Sequence, residues 1–284
     1  MTDFDSLWNF DDPAATEAAF RALLPELERT GGAPHLELLT QLARTYSLRR
    51  EFTSAHALLD DVAASMAPGQ ARVRIRYLLE RGRAFHSAGQ RELARPLFLE
   101  AWELGQAAGE AALAVDAAHM LAAVERGAGA LRWNETALAV AERSADPKVR
   151  KWLGSLYNNL GWTYHAMERY GDALDRFKRA LACREAQRDP GPIRVARWCI
   201  ARCLRSLARA DEALAIQQAL RAECEAAGTP DPYVFEEIAE CLLALGRRDE
   251  ARPAFARAHA ALAGIAERDG IAPERLARLK SLAG

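Results

Sequence analysis

Six times along the 284-residue chain, a small residue is followed by a large one three positions on and by an alanine twelve positions on. The sets are Ala43/Tyr46/Ala55, Gly82/Phe85/Ala94, Ala118/Leu121/Ala130, Gly161/Tyr164/Ala173, Ala201/Leu204/Ala213 and Ala239/Leu242/Ala251. They do not overlap, and they recur every 36–43 residues or so, which is the signature of stacked copies of one supersecondary unit. Each unit reads as two amphipathic helices, A and B. Two antiparallel helices approach closely only where small side chains meet, and a large residue one turn on fills the flank. Gly161 makes the point most sharply. A glycine inside a helix costs about 1 kcal/mol relative to alanine, so a close approach, expected here against Ala173, must require it.

The residues around Gly161 carry a resemblance. Tyr157, Leu160, Gly161, Tyr164, Ala173, Phe177 and Ala180 stand at the signature spacing of the tetratricopeptide repeat (TPR) family. Gly82, Phe85, Gly89, Ala94, Phe98 and Ala101 resemble it too, as do Phe235, Ala239, Gly246, Ala251, Phe255 and Ala258. The resemblance runs from about Leu36 to Ala261. Asn134 and Gln217 depart from it, standing where an aromatic is usual, and the repeats are longer than the family's usual length. That length is similar to the branch found in kinesin light chains. The resemblance implies an all-α fold, a right-handed α-solenoid of about six helix pairs.

The repeats fall at roughly 33–66, 70–107, 111–145, 148–188, 192–227 and 231–268. Gly89, Gly129, Gly171 and Gly246 mark the links between helices. Asp12 before Pro13 reads as N-cap and N1 of a leading helix through Phe20, Leu23, Leu24 and Leu27, which ends at Gly31-Gly32. Residues 271–284, with Pro273 near the start, read as a closing cap. With no linker between, residues 13–284 are expected to form one domain, preceded by an arm, residues 1–12. The arm carries Phe4, Trp8 and Phe10 among Asp3 and Asp5. Burial of each aromatic would return about 1.5–3 kcal/mol. The arm is therefore expected to pack on the first helices or enter a groove, its acids facing Arg44, Arg76 or Arg83; the alternative is a frayed tail.

Composition narrows the function. The 38 basic and 39 acidic residues nearly cancel, so no global field draws the chain to nucleic acid or anionic lipid. The acidic start lacks the pattern of a secretory signal, and no apolar run is long enough to span a membrane. Five cysteines, an odd number without a CxxC pair, are expected to be reduced, buried and cytoplasmic. Cys199 and Cys203 share a helix face, and small core residues are the expectation there rather than metal ligands.

In a solenoid of the implied kind the A helices line the concave face. Positions −6, −3, −2, +1 and +4 from the small residue then define a groove. Its first zone holds Glu37, Gln41, Arg44, Arg76, Glu80, Arg83 and His86, and its middle Asp116, His119, Asn158, Asn159, Trp162 and His165. The far end holds Trp198, Arg202, Arg205, Tyr233, Glu236, Glu237 and Glu240. The three far-end glutamates read as a solvated face. Trp162 and Trp198 are not needed by cores already filled by Leu160, Tyr164, Ile200 and Leu204, and exposed aromatics beside arginine and asparagine make binding hot spots. Asn158 and Asn159 can each bond a peptide N–H and C=O. Only Asn159 meets the carboxylate-clamp pattern of the family; Asp116 and Cys199 stand at the neighbouring positions, so chaperone C-terminus binding is not expected.

His86, His119 and His165 fall on successive inner faces, with Asp116 one turn from His119, which could ligate a metal or do acid–base work. No HExxH, phosphate loop or GxSxG elbow accompanies them. The expectation is a non-catalytic scaffold without cofactor or metal, binding a peptide segment of a partner protein and neither nucleic acid nor membrane. The alternatives are a self-associating element that forms a homodimer through groove or cap, and a metal-dependent or small-molecule-binding protein centred on the groove histidines.

Overall fold

The structure is a computed structural model that describes residues 4–284, the side chains of residues 267–269 excepted. Among the described residues it is helical throughout, with no strand. Packing divides the chain into two compact units, Met1–Trp152 and Leu153–Gly284.

The first unit begins with one 3-10 turn, Phe4–Leu7, a local structure with no signal in the sequence ahead of Asp12. Helix α1 spans Pro13–Thr30, and Asp12 caps it as expected: Oδ1 accepts the Ala15 N–H at 2.9 Å. Three helix pairs follow: α2 (Ala33–Leu48) with α3 (Phe52–Ser65), α4 (Ala71–Ser87) with α5 (Arg91–Ala107), and α6 (Ala111–Val124) with α7 (Ala128–Arg143). A four-residue helix, α8 (Pro147–Arg150), ends the unit against α6 and α7.

The second unit repeats the scheme with α9 (Leu153–Ala166) and α10 (Tyr170–Gln187), α11 (Pro190–Ser206) and α12 (Ala210–Ala226), and α13 (Pro232–Ala244) and α14 (Arg248–Asp269). The cap expected at the end is α15 (Pro273–Ala283), which packs on α14 and buries Leu279 completely. In both units each A helix also touches the next A helix, α2 with α4, α4 with α6, α9 with α11 and α11 with α13, so the A helices share a face.

The repeat register holds in detail. Every small residue and every alanine of the six sets is buried, and so are Leu121, Tyr164, Leu204 and Leu242; Tyr46 and Phe85 are half-buried. One expected neighbour is corrected. The space over Gly161 is taken by the Phe177 ring rather than by Ala173: a Cβ there would lie 2.6 Å from Phe177 Cε1. Gly82 stands in the same relation to Phe98, at 2.5 Å.

The A-to-B turns correct a second expectation. Seven residues after the small position, five of the six repeats place one residue in the left-handed region: Arg50, Gly89, Glu168, Ala208 and Gly246, with φ between 58° and 81°. Gly89 and Gly246 are thus link glycines, while Gly129 and Gly171 lie within the first turns of α7 and α10. In the third repeat the chain leaves α6 extended at Glu125, and Gly127 takes the positive φ.

Candidate functional site

Two A-helix faces carry the side chains singled out by spacing, one in each unit. In the first, α2 and α4 present Glu37, Gln41, Arg44, Arg76, Glu80 and Arg83, and α6 presents Asp116 and His119. These are not solvated residues. Arg83 pairs with Glu80 at 2.5 Å and with Asp116, while Arg44 reaches Glu80 at 3.7 Å. Arg76 pairs with Glu37 at 2.9 Å, and Arg72, outside the positions that spacing selected, shares the same carboxylate at 3.0 Å. Burial, then the neighbouring Arg83 guanidinium, lowers the Arg44 pKa. Asp116 is held below the usual carboxylate range; burial opposes the shift, but the charges of Arg83 and Arg44 prevail.

The arm covers this face. Phe4 is buried with its ring 6.4 Å from Phe20 in an edge contact, and the Arg76 guanidinium lies 5.5 Å over it. Asp5 pairs with Arg76. Trp8 Nε1 donates to Gln41 Oε1 at 3.1 Å, and Phe10 stacks on Trp8 at 4.9 Å. Arg44 then sits over both rings, at 5.2 and 5.0 Å. Of the arm residues named from the sequence, Asp3 lies outside the described residues.

His86 and His119 share the first unit, and burial lowers the pKa of each. His119 lies 5.6 Å from Trp152, a ring that spacing missed because α8 and the turn after it interrupt the repeat. Asp116, the acid expected to serve His119, is engaged by Arg83. Among the described residues no group of three His, Cys, Asp or Glu side chains is placed to hold a metal ion.

In the second unit, α9 and α11 bring Trp162 and Trp198 together with centroids 6.2 Å apart, both half-buried. Trp162 packs edge-on against Phe177 at 5.1 Å and against His165 at 5.2 Å, and Trp198 Nε1 donates to the Tyr233 carbonyl at 3.2 Å. Asn158 and Asn159 are half-buried on the same helix as Trp162. Ser206 ties two groove residues together. Its hydroxyl lies 3.0 Å from His165 Nε2 and accepts from Arg202 at 2.6 Å. Ser206 stands one position beyond the last offset that spacing selected. Burial, then the charges of Arg202 and Arg205, lowers the His165 pKa.

The far end is corrected. Glu236 and Glu240 are not a solvated face, because Arg275 and Arg278 of the cap helix pair with them and Arg275 also lies 5.2 Å over the Tyr233 ring. Glu237 is buried and accepts two hydrogen bonds from Arg205, at 2.6 and 3.1 Å; its pKa is nevertheless raised, burial outweighing the guanidinium. Beside Trp198 opens a mainly apolar cavity of about 480 Å³, lined by Val195, Leu220, Cys224, Tyr233 and Val234 with Arg194 and Asp231.

All five cysteines are free. Cys183 is half-buried and the other four are buried, and burial pushes Cys199 and Cys241 up to about 12. These are inert thiols at neutral pH.

The tetratricopeptide repeat model matches residues 109–186, the third and fourth helix pairs. Over those residues the chain resembles the tetratricopeptide repeat family. No curated protein sequence matches the chain. Solved structures resemble it in fold at low identity. BtubC (BKLC) from P. vanneervenii is 17% identical with TM-score 0.61, covering 82% of this chain and 95% of its own. NprR in complex with its cognate peptide NprX is 15% identical with TM-score 0.59, over 98% and 81%. Aspartyl phosphate phosphatase F from Bacillus subtilis is 16% identical with TM-score 0.62, over 99% and 78%. In this repeat chain, no described helix is long and apolar enough to cross a membrane.

Proposed function

We propose that the protein is a non-catalytic interaction scaffold whose A-helix face in the second unit binds a peptide segment of a partner. The observation that carries this reading is the Trp162–Trp198 pair, two half-exposed rings 6.2 Å apart. Arg202 stands one turn from Trp198 on α11, and the apolar cavity next to Trp198 has room for a partner's apolar side chain. Large aromatics that keep an exposed face, beside guanidinium groups, are the residues that dominate binding energy. Asn158 and Asn159 would serve the peptide backbone.

The NprR structure was solved with a bound peptide, so this architecture is compatible with such a ligand. Fold alone decides nothing about catalysis, since a phosphatase shares it. The argument against catalysis is local: Asp116, the acid one turn from His119, is neutralised by Arg83.

A display library of random linear peptides tests the reading. The wild-type chain should enrich peptides that the Arg202→Glu and Trp198→Ser variants, verified as folded by circular dichroism, do not retain. Equal retention by both variants, or no enrichment at all, contradicts it.

A further inference from the structure

The first unit carries a different observation: its A-helix face already holds a short peptide, the chain's own arm. Beneath the arm the charges are shared: Glu37 serves both Arg72 and Arg76, Glu80 serves both Arg44 and Arg83, and Glu110 and Asp116 add a second carboxylate to Arg72 and Arg83. Within the helices Arg76 and Arg44 thus have only a shared carboxylate each, and it is these two that the arm engages. Asp5 brings a further carboxylate to Arg76, and the faces of Trp8 and Phe10 receive Arg44, whose Nε makes no hydrogen bond among the described residues.

Recognition runs through side chains: the Phe4 ring under Arg76, the Asp5 carboxylate, and the Trp8 indole N–H on Gln41. Such recognition does not depend on which chain presents the groups. The arm is also shaped to fold back. Beyond Trp8 the chain turns, Asn9 N donating to Thr16 Oγ1 at 3.0 Å and Thr16 Oγ1 donating to the Asn9 carbonyl at 2.9 Å, which directs residues 4–8 over α2 and α4. Yet the outer side of the arm stays in water, with Phe10 56% and Leu7 39% exposed. The contact is a docked segment, not a core strand of the fold.

We propose that the α2–α4 face is a receptor for a short acidic, aromatic segment of the pattern aromatic–carboxylate–x–x–aromatic. Residues 4–8 are its built-in occupant, which a partner segment of the same chemistry displaces. The proposal rests on the reading that A-helix faces of this chain bind peptides, and extends it to a second face with a stated ligand class and a built-in competitor. Tethering gives the arm an effective concentration in the millimolar range, so an outside segment meets the site open only for the fraction of time the arm is off.

The test uses a fluorescein-labelled peptide of residues 1–12 and three full-length chains: wild type, Asp5→Lys, and Phe4→Ser with Trp8→Ser. Fluorescence anisotropy should show about tenfold or tighter binding to the released chains than to wild type. That binding should weaken as salt rises from about 0.05 to 0.5 M. A peptide carrying Asp5→Asn and Trp8→Ser should not bind. Asp5→Lys leaves Phe4 and Trp8 in place, so it reports even if the doubly substituted chain does not fold. Equal affinity of wild type and released chains overturns the proposal, as does equal binding of the substituted peptide or no binding to either released chain. A wild-type dimer that becomes monomeric on Asp5→Lys substitution also overturns it, because the arm would then be exchanged between copies. These substitutions leave α9–α13 untouched, so the proposal and the Trp162–Trp198 reading fail separately.

Discussion

The ring of Phe177 lies where any side chain on Gly161 would have to go, 2.6 Å from the position of a Cβ. Phe177 is fully buried in the B helix and cannot swing aside. Gly161→Ala should therefore destabilise by about 1–3 kcal/mol through overpacking, although alanine is the better helix former by about 1 kcal/mol. Gly171 is the internal control, since a Cβ there meets nothing within 4 Å. Gly171→Ala should be neutral or stabilising. Urea denaturation of the two variants checks the pair, and similar losses at both positions would contradict the packing.

In the fifth repeat, where the A helix carries Ala201, the same slot is filled by a glutamine. Gln217, sixteen residues after Ala201 as Phe177 is after Gly161, is fully buried, and neither end of its amide has a hydrogen-bond partner among the described residues. An unsatisfied buried amide costs about 1–3 kcal/mol. Gln217→Leu or Gln217→Met should raise stability by about 1–2 kcal/mol in the same assay. A loss of stability would show that the amide is satisfied after all.

Ala208 closes the α11–α12 turn at φ 58°. A left-handed alanine carries a steric cost of roughly 1–2 kcal/mol that glycine does not, partly offset by the greater chain entropy of glycine in the unfolded state. Ala208→Gly should therefore stabilise by about 0.5 kcal/mol or more. A lower melting temperature would contradict the turn geometry.

The helices, their pairing and the faces of the A helices follow from a spacing that each repeat states again, and so they were legible in the sequence. What the period does not contain was not. The short α8 and Trp152 interrupt it, and Ser206 lies one step beyond its offsets. Arg275 and Arg278 come from a cap outside it, so their pairing with Glu236 and Glu240 had no sequence signal. The contact of Gly161 with Phe177 rather than Ala173 depends on how far a ring reaches across two helix axes, which residue spacing does not encode.

Burial lowers the pKa of His56, His86, His119 and His165. For His119, Asp116 opposes the shift while Arg83 and Arg44 reinforce it. A histidine whose folded value is depressed takes up its proton more readily when unfolded, so stability falls as pH drops through the ordinary value of about 6.5. Glu237, whose carboxyl is raised, acts in the opposite sense at the acid end. The melting temperature should therefore be lower at about pH 5.5 than at about pH 7.5, with a smaller difference in His119→Gln. A flat profile would contradict the burial of these rings.

Hydrogen–deuterium exchange with a peptide enriched on the second unit tests the central claim most directly. Protection is predicted at residues 158–165 of α9 and 198–205 of α11, with α10 unchanged. Protection confined to the B helices, or a bound peptide that leaves α9 and α11 unprotected, would contradict it.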